Sequence, residues 1–283
     1  MSESSDSDAP EAADGTDSPQ VTDSANTSDS STADRPDSAP GTVQTEAGTA
    51  ASVVVCFDMD GVLVDSEDYW HVAEREEILP RVLADGSRTP DLDEVTGMYY
   101  GEIYDYLAEH YEVVVDKDAF MSLYEETAES IYGERVELLA GAREFVADLR
   151  GEGVPVALVS SSPRDWIETV LDRFDLEFDL IAPAEEFDGP GKPEPGLYEA
   201  AIRDLGGTVD RAVAIEDSAN GVLAAARSGA YTIAVRDDHN RDSDLSPADE
   251  VVDREDPAAL YEAVRHSTRT IRESVSGNSG NSG

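Results

Sequence analysis

The 283-residue chain has one cysteine, and only Lys117 and Lys192 are lysine. With Cys56 alone, an intramolecular disulfide is excluded and a reducing compartment fits. Cys56 lies inside an apolar run, where a small buried hydrophobe is the expected role. No stretch reaches the ~18 apolar residues of a membrane span. The N-terminal "MSESSDSDAPEAADG" has neither the basic nor the apolar region of a secretory signal. Basic charge is scarce and acidic charge abundant: 63 Asp and Glu residues give a net charge of -43. Such a field repels phosphate-rich partners, so neither nucleic acid nor an anionic membrane is an expected partner. An acidic, lysine-poor surface suits concentrated salt, where screening removes the self-repulsion. The expectation is a halophilic, cytoplasmic, monomeric protein.

Residues 1–50 are mostly Ser, Thr, Asp, Ala, Pro and Gly. Burial cannot offset their ordering entropy, so a disordered acidic tail is expected there, and a second disordered tail over 271–283. Between them, short Val-rich runs recur: "SVVVCF", "VPVALVS", "FDLIA", "AVAIE" and "YTIAV". Runs of this kind suit strands buried on both faces. Helical patterns separate them at Ala142–Arg150, Arg164–Phe174, Glu194–Leu205 and Ala219–Arg227. This alternation predicts an α/β fold with a doubly wound parallel sheet, formed by residues 51–65 and 138–270. Residues 66–137 have helical periodicity and little strand signal. They are expected to form an inserted helical cap over the C-terminal strand ends, where open α/β sheets bind ligands.

Asp58 and Asp60, in "VVVCFDMDGVLVDSEDYW", stand at the end of the first run. The D-x-D spacing itself carries little weight, because it recurs at Asp6/Asp8, Asp91/Asp93, Asp116/Asp118 and Asp242/Asp244. Position carries more. The second run ends at Ser160, Ser161 and Ser162, the fourth at Glu216 and Asp217, and Lys192 precedes the helix before the fourth. In a parallel sheet these groups converge on one edge. Carboxylates brought together without His or Cys suggest a hard divalent ion, Mg²⁺. Serine hydroxyls, backbone N–H groups and a lysine suit phosphoryl oxygens. Together they point to phosphoryl transfer, in which a carboxylate can serve as the nucleophile. Lys192, retained where lysine is nearly absent, is read as functional, and Lys117 as a charged helix start.

Four segments in order, "DMDGVLVDSE", "ALVSSS", "GKPEPGLYEAA" and "AIEDSANGVLAA", resemble the motifs of the haloacid dehalogenase-like hydrolase superfamily. The insert resembles the C1 helical cap of the subfamily holding β-phosphoglucomutase and sugar-phosphate phosphatases. The resemblance implies a Rossmann-like core, Mg²⁺, and a small phosphorylated metabolite as substrate. It implies Asp58 as nucleophile and metal ligand, and Asp60 as general acid and base with its backbone carbonyl on the metal. Ser160 and the Ser161 backbone would bind phosphate. Lys192 would neutralise charge on the phosphoryl group and nucleophile, and Asp217 with Glu216 would complete the metal site. Gly61 fits the family's sharp turn after the first strand. The second Asp sets the chain apart from the dehalogenases proper, which need no metal.

Within that subfamily two activities remain. A sugar mutase needs cationic cap groups for a second phosphate, yet "TGMYYGEIYDYL" and "LYEETAESIY" contain no Arg or Lys. Trp70 stands where mutases resemble one another in having histidine, and His71 is one position off. A phosphatase acting on a sugar phosphate or a phosphoglycolate-like substrate is the expected activity. A β-phosphoglucomutase-like mutase is the alternative, and a non-enzymatic phosphometabolite binder a third. Trp70, His71 and Tyr99 are the candidate substrate contacts in the cap. Packing within the cap competes for the two aromatics, and an exposed helix position for His71.

Overall fold

The structure, a computed structural model, describes residues 52–278. The expected N-terminal tail lies outside the described residues. Strand β1, Val54–Phe57, opens the fold. Four helices follow: α1 (Ser66–Ala73), α2 (Leu79–Val82), α3 (Tyr100–His110) and α4 (Lys117–Ser130). Two π-helical segments, Glu74–Ile78 and Ile131–Arg135, extend α1 and α4. The chain then runs through α5 (Ala142–Gly151), β2 (Val156–Ser160), α6 (Arg164–Phe174) and β3 (Leu180–Pro183). It continues with α7 (Gly196–Asp204), β4 (Ala212–Glu216) and α8 (Ala219–Ser228). Strands β5 (Tyr231–Arg236) and β6 (Glu250–Asp253) and helix α9 (Pro257–Asn278) complete it.

The six strands form one parallel sheet in the order β3-β2-β1-β4-β5-β6. Its central strands β1, β2 and β4 are buried at every position because both faces are covered. On one face Val55, Phe57, Leu158 and Ile215 pack with residues of α5 and α9, including Phe145, Leu149, Leu260 and Val264. On the other, Val54, Cys56, Ala157, Ala212 and Ala214 meet α7 and α8 through Ala201, Ala224 and Ala225. Small residues on this second face let the helices come close to the sheet. Burial pushes the Cys56 thiol up to about 12, consistent with an inert packing role.

Two features depart from the sequence reading. Helix α9 continues to Asn278, through the first part of the segment expected to be disordered from 271. Ile271 anchors this stretch by packing against the main core. Strand β6 is an edge strand with only Val252 buried, so its four residues carry no run of apolar character.

The chain enters and leaves the helical insertion at adjacent points. Val64 and Leu138 pair as an antiparallel bridge, and Leu139 N–H donates to the Leu63 carbonyl at 2.7 Å. Glu137 N–H donates to Asp65 Oδ1 at 2.5 Å. The insertion lies over the C-terminal strand ends. Ser161 Oγ donates to the Gly97 carbonyl, Asn220 Nδ2 to the Thr96 carbonyl, and Gly191 N–H to Glu102 Oε1. Gly97, at φ +80°, permits this approach, since a Cβ there would overlap the Ser218 side chain.

Candidate active site

Parallel pairing places the ends of β1, β2 and β4 side by side, with β1 and β4 in register from Val54–Ala212 to Phe57–Ile215. Asp58 therefore emerges beside Glu216 and Asp217. These three carboxylates are buried, and one oxygen from each lies within 4.8 Å of the others. Gly61, at φ +69°, closes the turn after Asp60 against Asp217, where a Cβ would collide with the Asp217 carboxylate.

Lys192 enters the cluster from the loop before α7. It is 2% exposed, and its Nζ lies 2.5 Å from both Asp58 Oδ1 and Glu216 Oε1. Nζ also donates to the Val159 carbonyl at 3.2 Å. Tyr198 Oη donates to Glu216 Oε1 at 2.6 Å, fixing the carboxylate that positions the lysine. Burial opposes the charge of Lys192, but Asp58 and Glu216 outweigh it and hold its pKa above the ordinary lysine value. The reverse holds for Asp58. Burial raises its pKa well above normal, Lys192 counters, and Glu216, Asp217 and Asp60 push it further up. One ammonium cannot balance three buried carboxylates, so the cluster is short of positive charge. A hard divalent ion would supply it, and the all-oxygen donor set suits Mg²⁺.

The Asp60 carboxylate stands outside this cluster. It accepts hydrogen bonds from Ser66 Oγ (2.5 Å), Tyr132 Oη (2.6 Å) and Ser162 Oγ (2.7 Å). Burial raises its pKa, and these three hydrogen bonds oppose the rise. A carboxyl whose pKa is raised and which lines a cavity is suited to proton transfer. Trp70 Nε1 donates to Tyr132 Oη at 2.9 Å and steadies the arrangement.

Above these groups a cavity of about 70 Å³ separates the sheet edge from the insertion. Asp58, Asp60, Ser161, Ser162 and Asp217 line its floor; Glu67, Trp70, Glu74, Tyr100, Tyr124 and Trp166 are among its other lining residues. Trp70 thus faces the cavity. Tyr99 does not line it; the neighbouring Tyr100 does, with Tyr99 packed edge-on against it. His71 does not line it either: its Nε2 lies 3.3 Å from Thr96 Oγ1. Ser160 is fully buried, and its Oγ accepts from Ser162 N–H at 3.0 Å rather than facing the cavity.

Four further residues escaped sequence reasoning: Tyr132, Glu67, Glu74 and His239. His239 Nε2 lies 2.8 Å from Asp217 Oδ2, and Asn240 Nδ2 donates to the Asp217 carbonyl at 2.8 Å. Burial disfavours the imidazolium, but Asp217 and then Asp237 raise the His239 pKa. The signal for His239 was available, since it follows β5, whose end abuts that of β4 in the sheet.

Burial pushes Glu74 up to about 7 from the ordinary 4.5, against one lowering hydrogen bond from Tyr124. A proton is therefore bound more tightly in the folded than in the unfolded protein. The associated stability is fully present below 4.5 and lost as pH rises through about 7. Melting temperature should rise as pH falls across this window, with Glu74 contributing up to about 3 kcal/mol. A Glu74→Gln variant followed by thermal melts in metal-free buffer should have a shallower slope, and an unchanged slope would refute the assignment.

Four sequence motifs at adjoining ends of a parallel sheet, under a helical insertion, define a class. Residues 53–229 match the family described as haloacid dehalogenase-like hydrolase, and the chain belongs to it. Hexitol phosphatase B of Escherichia coli is 34% identical over 182 residues, spanning 63% of this chain and 81% of that protein. A phosphorylated carbohydrates phosphatase of Thermotoga maritima is 30% identical over 180 residues, 62% of this chain and 81% of that one. The fold is shared with β-phosphoglucomutase from Clostridium difficile, at TM-score 0.60 and 20% identity over 77% of this chain and 98% of that chain. Among the described residues no helix is long and apolar enough to cross a membrane.

Proposed function

We propose that the protein is a Mg²⁺-dependent phosphatase that hydrolyses a small phosphorylated sugar or polyol through an aspartyl phosphate on Asp58. One observation carries the reading: the buried Asp58–Lys192 pair lies below a cavity whose lining residues include no lysine or arginine. The pair suits phosphate transfer, and the lining residues offer no cation for a second phosphate. The two similar phosphatases act, by their names, on hexitol or carbohydrate phosphates.

Asp58 and Asp217 would hold the metal, with Glu216 bordering the site while engaged by Lys192 and Tyr198. When bound, Mg²⁺ supplies charge neutralisation for Asp58 and the phosphoryl oxygens. The Asp58 carboxylate attacks phosphorus, and the bond from phosphorus to the ester oxygen breaks. Asp60 gives its proton to the departing oxygen, and the alcohol leaves. Asp60 then takes a proton from the water that attacks the aspartyl phosphate, restoring Asp58 and releasing inorganic phosphate. Lys192 balances charge on the nucleophile and phosphoryl group throughout.

Phosphate release from p-nitrophenyl phosphate, in high salt with Mg²⁺ and then with excess chelator, tests the reading. Release that is absent, or indifferent to the chelator, would overturn it. Conversion of β-glucose 1-phosphate to the 6-phosphate would favour a mutase instead. Tyr132→Phe should lower kcat by roughly tenfold and shift the pH profile, because Asp60 loses one of its three side-chain donors. A variant with the wild-type profile would remove Tyr132 from the mechanism.

A further inference from the structure

The cavity contains side chains that the hydrolytic steps leave unused. Glu74 is 7% exposed and accepts a hydrogen bond from Tyr124 Oη at 2.8 Å. Glu67, seven residues earlier on the same face of the helix, lines the same cavity. Each of Trp70, Tyr100, Tyr124 and Trp166 stacks on two of the others, at centroid separations from 5.1 to 5.7 Å. The two π-helical segments bear on this chamber directly. Glu74 begins the first, and Tyr132 lies in the second. Such segments are rare and recur at functional sites, because they re-aim side chains out of helical register.

We propose that Glu74, oriented by Tyr124 and accompanied by Glu67, determines specificity by binding the hydroxyl groups of an uncharged leaving group and excluding leaving groups with a second negative charge. The proposal rests on the phosphatase reading. A carboxyl with one hydrogen-bond donor retains acceptor capacity for substrate hydroxyls, and the C–H faces of a polyol suit the aromatic walls. An anion desolvated beside Glu67 and Glu74 finds their carboxyl groups and no lysine or arginine among the lining residues. This is discrimination by a repulsive element as well as an attractive one. Phosphoglycolate and sugar bisphosphates are thereby disfavoured.

Sorbitol 6-phosphate and 6-phosphogluconate provide the test, because they differ only in a terminal hydroxymethyl or carboxylate group. Two ratios are measured above the pH near 7 at which Glu74 titrates. One is kcat/KM with Mg²⁺. The other is Kd by calorimetry in Asp58→Asn, which needs no turnover. The wild-type cavity should favour the sorbitol ester by about 100-fold or more, and Glu74→Gln should narrow the preference to about tenfold. In Tyr124→Phe, which keeps the stacked ring, KM for the sorbitol ester should rise while kcat holds. Equal affinity for the two ligands, or a ratio unmoved by Glu74→Gln and a KM unmoved by Tyr124→Phe, would overturn the specificity assignment. If the wild type releases no phosphate from p-nitrophenyl phosphate either, the phosphatase reading fails, and the Kd ratio still decides selectivity.

Discussion

Asp58→Asn should abolish phosphate release, lowering kcat by roughly 10⁴-fold or more, because the amide has no nucleophilic carboxylate. The fold should be retained. Lys192 keeps its contact with Glu216 at 2.5 Å, and the mutated position no longer adds a charge to the cluster. Burial, Glu216, Asp217 and Asp60 all raise the Asp58 pKa, and only Lys192 lowers it. Removing the ionisable group should leave the metal-free melting temperature at or above that of the wild type. Product assays and thermal melts on the same preparation check both halves. Wild-type turnover in this variant would exclude the covalent mechanism.

Lys192→Met should have the largest effect on stability. The lysine is the cation shared by Asp58 and Glu216, with its side chain 1% exposed. Leaving those carboxylates buried without it should cost about 3–5 kcal/mol, or roughly 10 °C in melting temperature. Turnover should fall roughly 10²–10³-fold through lost electrostatic stabilisation. The pH dependence separates this cause from a packing defect. Asp58 and Glu216 already have raised pKa values, and losing Lys192 raises them further. The deficit should therefore shrink as pH falls and the carboxylates take up protons, and grow as pH rises. A deficit independent of pH would show that shape, not charge, was lost.

Some of this was legible in the chain, for a physical reason. Strands buried on both faces must be largely apolar, so β1, β2, β4 and β5 announced themselves. Parallel pairing then puts every C-terminal strand end on one edge, which is why Asp58, Ser161, Lys192 and Asp217 could be grouped before any coordinates. Tyr132 could not. It meets Asp60 across 72 residues, and its aim depends on a π-helical turn that leaves no trace in hydrophobic periodicity. Glu74 was hidden by composition: among 63 acidic residues, a carboxylate buried in a cavity looks like one more solvated charge. The triple serine at the end of β2 showed where phosphate donors should be, but not which hydroxyl turns inward. Only packing fixed Ser160 against the Ser162 amide.

The paired crossing at Val64 and Leu138 has a consequence for how such a protein can diversify. Because the chain departs and returns at neighbouring points, the whole segment behaves as a cassette plugged into a single socket. A change within it need not shift a strand, provided that its contacts with Ser161, Asn220 and Gly191 are kept. Asp58, Lys192 and Asp217 stay with the socket, whereas Glu67, Glu74 and Tyr124 travel with the cassette. The nucleophile and most of the cavity wall therefore sit on separate stretches of chain, and Tyr132, the cassette's donor to Asp60, is the contact any replacement would have to reproduce.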